Sequence, residues 1–140
     1  MHTGTGPAKQ TPHSISGEII SAAMKVHSAL GPGLLESAYE ACLVQELRNR
    51  GLRVLAQVPV LVVYEGLKLD IGFRLDLLVE DAVVVEVKAV EAITPVFHAQ
   101  VLTYLKWSEK SLGLLINFNV AHLKDGLKRF VRGDGWKQPL

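Results

Sequence analysis

The chain has 140 residues, room for one domain and one packed core, since domains run about 100–200 residues. At 49% apolar and 21% charged, with mean hydropathy +0.24, it is not a disordered chain. Fifteen Lys and Arg against fourteen Asp and Glu leave a net charge of +1, which excludes binding of nucleic acid by bulk attraction but not a local basic site.

In chain order, residues 1–14 mix Gly, Pro, Thr and His without periodicity and read as a flexible tail, leaving 15–140 as a single domain. Ile19, Ile20, Ala23, Val26 and Leu30 recur at helical spacing until Gly31-Pro32-Gly33 stops the helix. Leu34, Leu35, Ala38, Ala41, Cys42 and Leu47 give a second helix, ended by Gly51. Two β-rich runs follow, 52–56 and 58–64, with Pro59 marking an edge or an irregular start. After a turn at Glu65-Gly66, strands over 70–79 and 82–89 flank Glu80-Asp81 as a hairpin. Thr94-Pro95 opens a helix through Trp107, residues 112–118 read as a strand buried on both faces, and 126–131 suit a last short strand or helix. The order α-α-β-β-β-α-β indicates a mixed α/β domain rather than regular βαβ units.

The single Cys42 excludes an intramolecular disulfide and a Cys-based zinc cluster, and a buried structural thiol in a reducing compartment is the expectation. With no apolar run near the N-terminus and none of the roughly 18 residues that span a bilayer, a cytoplasmic protein is expected. High hydropathy in a short chain also points to apolar surface buried between subunits, hence a homo-oligomer.

The stretch richest in chemistry is Arg74-Leu75-Asp76-Leu77-Leu78-Val79 with Val84-Val85-Glu86-Val87-Lys88. Alternation puts Glu86 and Lys88 on one face of a strand that is otherwise apolar, where charges need partners, a metal or a cleft. An odd loop centred on Asp81 pairs position 79 with 83 and sets Asp76 opposite Glu86, with Cβ atoms about 4.5–5.5 Å apart. Both carboxylates then reach one Mg²⁺ at about 2.0–2.1 Å. A two-residue loop instead pairs Asp76 with Val85 and sends the acids to opposite faces. Two carboxylates beside a lysine suit metal-assisted phosphodiester cleavage, and the same residues also suit a cross-strand ion pair on a solvated face.

The run Gly33-Leu34-Leu35-Glu36-Ser37-Ala38-Tyr39 matches the motif of the GxxExxY protein family, and the chain resembles that compact branch of the PD-(D/E)xK nuclease superfamily over residues 15–132. VHSALGPGLLESAYE, FRLDLLV, VVEVKAV, AQVLTYLK and GLLINFNVAHLKDGLKRFV carry the resemblance. It implies a restriction-endonuclease-like core, a mixed central sheet flanked by helices, and a site using Mg²⁺ or Mn²⁺. By motif, Asp76 takes the place of the first metal-binding acid, Glu86 and Lys88 form the ExK pair, and the backbone carbonyl of Val87 is a further ligand. Glu36 matches the acid on the first core helix, where it binds metal directly or through water; a first-turn Glu is also favoured by the helix dipole. Tyr39, at i+3 from Glu36, is expected on the same face, packing or bonding to the site. Gln100 and Tyr104 match the QxxxY element of RecB-like nucleases and share a helical face.

His27 resembles the metal-binding His of some such enzymes and is a candidate. The resemblance implies a His three residues before the Gln; here Phe97 stands in that place and His98 follows. His2, His13 and His122 have no zinc-type spacing. Lys124, Lys128, Arg129 and Arg132 make a locally basic segment, suited to phosphates or to a solvated edge. The reading is a metal-dependent nuclease acting on DNA in repair, processing or defence, with a second copy or a partner protein supplying part of the grip. The alternative is a non-catalytic nuclease-fold subunit that binds nucleic acid or protein.

Overall fold

Helix formation begins earlier than the apolar spacing predicts. In a computed structural model, which describes residues 10–140, α1 runs Pro12–Leu30. Thr11 Oγ1 accepts from the Ser14 amide at 3.0 Å and Ser14 Oγ accepts from the Thr11 amide at 2.9 Å, a capping box followed by Pro12 in the first turn. Helix α1 therefore takes in residues 12–14, read from the sequence as tail, because two polar side chains satisfy the amides that apolar periodicity does not report. Residues 1–9, the rest of the expected tail, lie outside the described residues.

Gly31, at φ 69°, ends α1 with its amide on the His27 carbonyl at 2.8 Å, a backbone conformation that favours glycine. Helix α2 spans Glu36–Asn49. Strands β1 (Val54–Tyr64) and β2 (Leu67–Val79) form a long antiparallel hairpin, so the two runs expected around residue 57 are one strand. Strand β3 (Val83–Lys88) follows, then α3 (Pro95–Ser108), β4 (Leu112–Asn117) and β5 (Leu127–Val131), which settles the last segment as a strand. The sheet order is β1-β2-β3-β4-β5, with β3 and β4 parallel and the other pairs antiparallel. Strand β1 is an edge of the sheet, the position in which a proline such as Pro59 is tolerated. Among the described residues no helix is long and apolar enough to cross a membrane.

Two apolar cores sandwich the sheet. On one side Ile19, Leu43 and Leu47 of α1 and α2 pack with Val83, Val85 and Val87; on the other, Val101 and Leu105 of α3 pack with Val84 and Leu115. The β1–β2 hairpin contributes to both, in a way simple alternation does not allow. Val54, Leu77 and Val79 belong with α1 and α2, whereas Leu75, Val58 and Val60 belong with α3. Residues two apart in a regular strand share a face, so the hairpin reverses its facing between 54 and 58 on β1 and between 75 and 77 on β2. The reversal on β1 coincides with Gln57, whose φ is 55°.

Candidate active site

The hairpin between β2 and β3 has the register of an odd loop, Val79↔Val83, Leu78↔Val84 and Leu77↔Val85. Glu80 and Asp81 both take left-handed φ, 53° and 52°, and the Ala82 amide closes the turn on the Val79 carbonyl at 3.0 Å. Beyond Leu77 and Val85 the strands part, and Asp76 and Glu86 stand at the fork. Their side chains replace the ladder there: the Asp76 amide donates to Glu86 Oε2 and the Val87 amide donates to Asp76 Oδ2, both at 2.9 Å. Each acid keeps one oxygen outside this clasp.

Glu86 is only 4% exposed. Burial, aided by the nearby Asp76 charge, pushes its carboxyl up to about 8, although the Asp76 amide and Lys88 pull the other way. Burial also raises Asp76, against the opposing pull of the Val87 amide, Lys88 and Gln57. Lys88, half-buried at the end of β3, lays its ammonium 5.0 Å from the centre of the Phe97 ring on α3. Among the described residues no ion pair joins Lys88 to Asp76 or Glu86, so the cross-strand pair admitted by the sequence does not form. Phe97, which stands where a His was expected, therefore carries the lysine. His98 instead meets Phe130 edge-on at 5.4 Å.

The helices bring other groups to the fork. Glu36, in the first turn of α2, and Glu40, one turn later, are both raised chiefly by partial burial, with the Asp76 charge adding to it. Tyr104 of α3 stacks on Phe73 at 4.3 Å, and burial together with the Glu86 and Asp76 charges raises its phenol. Gln100 lies half-buried one turn before Tyr104, and among the described residues no hydrogen bond ties it to the carboxylates.

Other candidates stand elsewhere. Tyr39 is fully buried and stacks on Phe118 at 4.7 Å; its hydroxyl donates to the Gly31 carbonyl at 2.6 Å and accepts from the Leu34 amide at 3.0 Å. Its work is to pin the link between α1 and α2. The i+3 relation to Glu36 does not bring it to the carboxylates, since α2 turns Tyr39 into the core and Glu36 outward. His27 is buried with Nε2 2.7 Å from the Val120 carbonyl, a contact that requires the proton on Nε2. Lys124, Lys128, Arg129 and Arg132 are exposed, but alternation along β5 separates Lys128 from Arg129, which reaches His13 on α1 at 3.1 Å. The free Cys42 is half-buried against the α1–α2 core.

Two residues of the site escape sequence reasoning. The Gln57 amide nitrogen donates toward both Glu40 oxygens, at 3.0 and 3.2 Å. The i, i+4 spacing of Glu36 and Glu40 was the available signal; nothing local marks Gln57.

A family model for the PD-(D/E)XK nuclease superfamily matches residues 13–130. The chain belongs to that superfamily. Comparisons with curated proteins and with solved structures give no match. The two helices, the mixed sheet and the intervening α3 are those of a PD-(D/E)XK core. Superfamily members typically use divalent metals, and the donor chemistry here fits one: hard carboxylate oxygens from Asp76 and Glu86, crowded and partly desolvated. Among the described residues no three His, Cys, Asp or Glu side chains are gathered closely enough to hold a metal. A pair suffices for Mg²⁺, which keeps several waters and usually takes one or two protein carboxylates.

Proposed function

We propose that this chain, as a member of the GxxExxY branch of its superfamily, is a nuclease that hydrolyses phosphodiester bonds of DNA with Mg²⁺ or Mn²⁺, in repair, processing or defence. The observation that carries the reading is the Asp76–Glu86 clasp at the strand fork with Lys88 beside it. Burying two carboxylates side by side is costly without a cation to answer them. Asp76 and Glu86 would hold the ion, joined by the Val87 carbonyl and by Glu36 directly or through water. Such an ion, when bound, lowers the pKa of water and offsets the charge of the scissile phosphate.

The residues supply the rest. Lys88, restrained against Phe97, orients the attacking water or balances charge on the phosphate in the transition state. Tyr104 and Gln100 line the α3 side and hold water or phosphate. Lys124, Lys128 and Arg132 contact the backbone of the substrate, Arg129 being turned to the other face toward His13. With a net charge of +1, that grip calls for a second copy of the chain or a protein partner.

Supercoiled plasmid and single-stranded DNA, incubated with the full chain and millimolar Mg²⁺ or Mn²⁺, test the reading. Cleavage that disappears with EDTA and in Lys88→Ala is the expected result. DNA binding without cleavage at millimolar Mn²⁺ would favour a non-catalytic binding subunit.

A further inference from the structure

Five non-glycine residues in the described chain have positive φ: Gln57, Glu65, Glu80, Asp81 and Glu109. Glu65, Glu80 and Asp81 form hairpin turns and Glu109 caps α3, where left-handed backbone is ordinary. Gln57 stands inside a strand, where the same conformation costs about 1–2 kcal/mol and gains no turn. Its position is specific. The pairs Ala56↔Leu77 and Val58↔Leu75 bracket it, so Gln57 lies opposite Asp76.

The chemistry of its contact is equally specific. Glu40 has no cationic partner among the described residues, and its one side-chain donor is the Gln57 amide. An ammonium or guanidinium would fix that carboxylate and neutralise it. A neutral amide fixes it and leaves the charge available to a cation. Gln57 on β1 stands opposite Asp76 on β2, so the side chain that holds Glu40 is anchored level with the first acid of the fork.

We infer that Gln57 is a positioning residue whose left-handed turn and side-chain amide hold Glu40 beside Asp76, so that Glu40 adds to the field that binds a divalent cation. This role rests on the metal-dependent reading above. Gln57 touches neither ion nor substrate; it acts chiefly through Glu40, which its amide holds at 3.0 and 3.2 Å, and to a lesser extent on the Asp76 carboxylate opposite it.

Mn²⁺ titration of the full chain by calorimetry tests it without requiring cleavage. Gln57→Gly suits the positive φ and removes the whole side chain, its amide included, so it should melt no lower than wild type while binding Mn²⁺ about tenfold more weakly. Glu40→Ala should weaken binding comparably, and adding Gln57→Gly to it should cost much less than Gln57→Gly costs alone. Gln57→Asn, which also tolerates left-handed backbone but is one carbon shorter, should behave as Gln57→Gly and serves if the glycine variant does not fold. Wild-type binding with unchanged affinity in a folded Gln57 variant, or additive losses in the double variant, overturns the positioning role alone. Absence of Mn²⁺ binding by the wild-type chain overturns the metal reading and this role together.

Discussion

Asp76 and Glu86 end each other's strand pairing: the Asp76 amide is capped by the Glu86 carboxylate at 2.9 Å, in the place where the next ladder bond would fall. The arrangement is stable only while both side chains stay in position. Mutations at the fork therefore separate into those that leave the clasp intact and those that open it.

Lys88→Ala leaves it intact. Cleavage should fall by at least about 100-fold, the scale for removing one preorganised charge-stabilising group. Stability should drop by less than about 1 kcal/mol, the worth of a partly exposed cation–π contact with Phe97. Plasmid nicking and thermal melting, run on the same preparation, measure the two effects.

Glu86→Gln removes the charge and keeps an acceptor for the Asp76 amide. Glu86 has a folded value of about 8 against an ordinary 4.5, so the folded state binds its proton more tightly. The resulting stabilisation is fully present below about pH 4.5 and is lost as pH rises through 8. In EDTA, wild type should therefore weaken relative to Glu86→Gln as pH rises from 4.5 through 8, by on the order of 5 kcal/mol at pH 9. Melting curves at pH 5, 7 and 9 check the sign: parallel curves for the two proteins would contradict it.

Tyr39→Phe should destabilise without touching the chemistry. It removes hydrogen bonds to Gly31 and from Leu34, at a cost of about 1–2 kcal/mol, and lowers Tm by roughly 3–6 °C. At a temperature where both proteins are folded, their Mn²⁺ affinities should agree.

Asn117 is 2% exposed. Its side chain exchanges two hydrogen bonds with Val90, at 3.0 and 3.1 Å, and accepts a third from the Asn119 amide. Through Val90 it fixes the segment leaving Lys88. Asn117→Ala should cost about 2–4 kcal/mol by stranding those backbone groups, and urea unfolding gives the number.

The parts of this molecule legible in its sequence are those set by repeating pattern or by local backbone chemistry. Gly31-Pro32-Gly33 announced the break between helices, Thr94-Pro95 the start of α3, and the polar turn at Glu80-Asp81 left the register of Val79 with Val83 as one of two clear alternatives. The start of α1 was missed because Thr11 and Ser14 act through hydrogen bonds rather than periodicity. Glu40 was passed over for Tyr39 because i+3 and i+4 from Glu36 both count as neighbours on a helix, and only the packing of α2 decides between them. Gln57 was invisible: a left-handed residue inside a Val-rich strand has no compositional mark unless it is glycine. The metal and substrate expectations rest on residues whose placement is now described and whose chemistry awaits the measurements above.

A β-strand keeps time in twos, and the hairpin of β1 and β2 drops a beat at the same level on both strands, at Gln57 and beside Asp76. Because both strands slip together they remain in phase with each other while their apolar stripe crosses from one helical layer to the other. Restoring strict alternation on one strand alone would set Val58 and Val60 out of step with Leu75, and the hairpin would lose a buried face. The two irregularities are thus bound to be kept or lost as a pair, and a substitution that straightens β1 at Gln57 will be felt first in the orientation of Asp76, across the sheet.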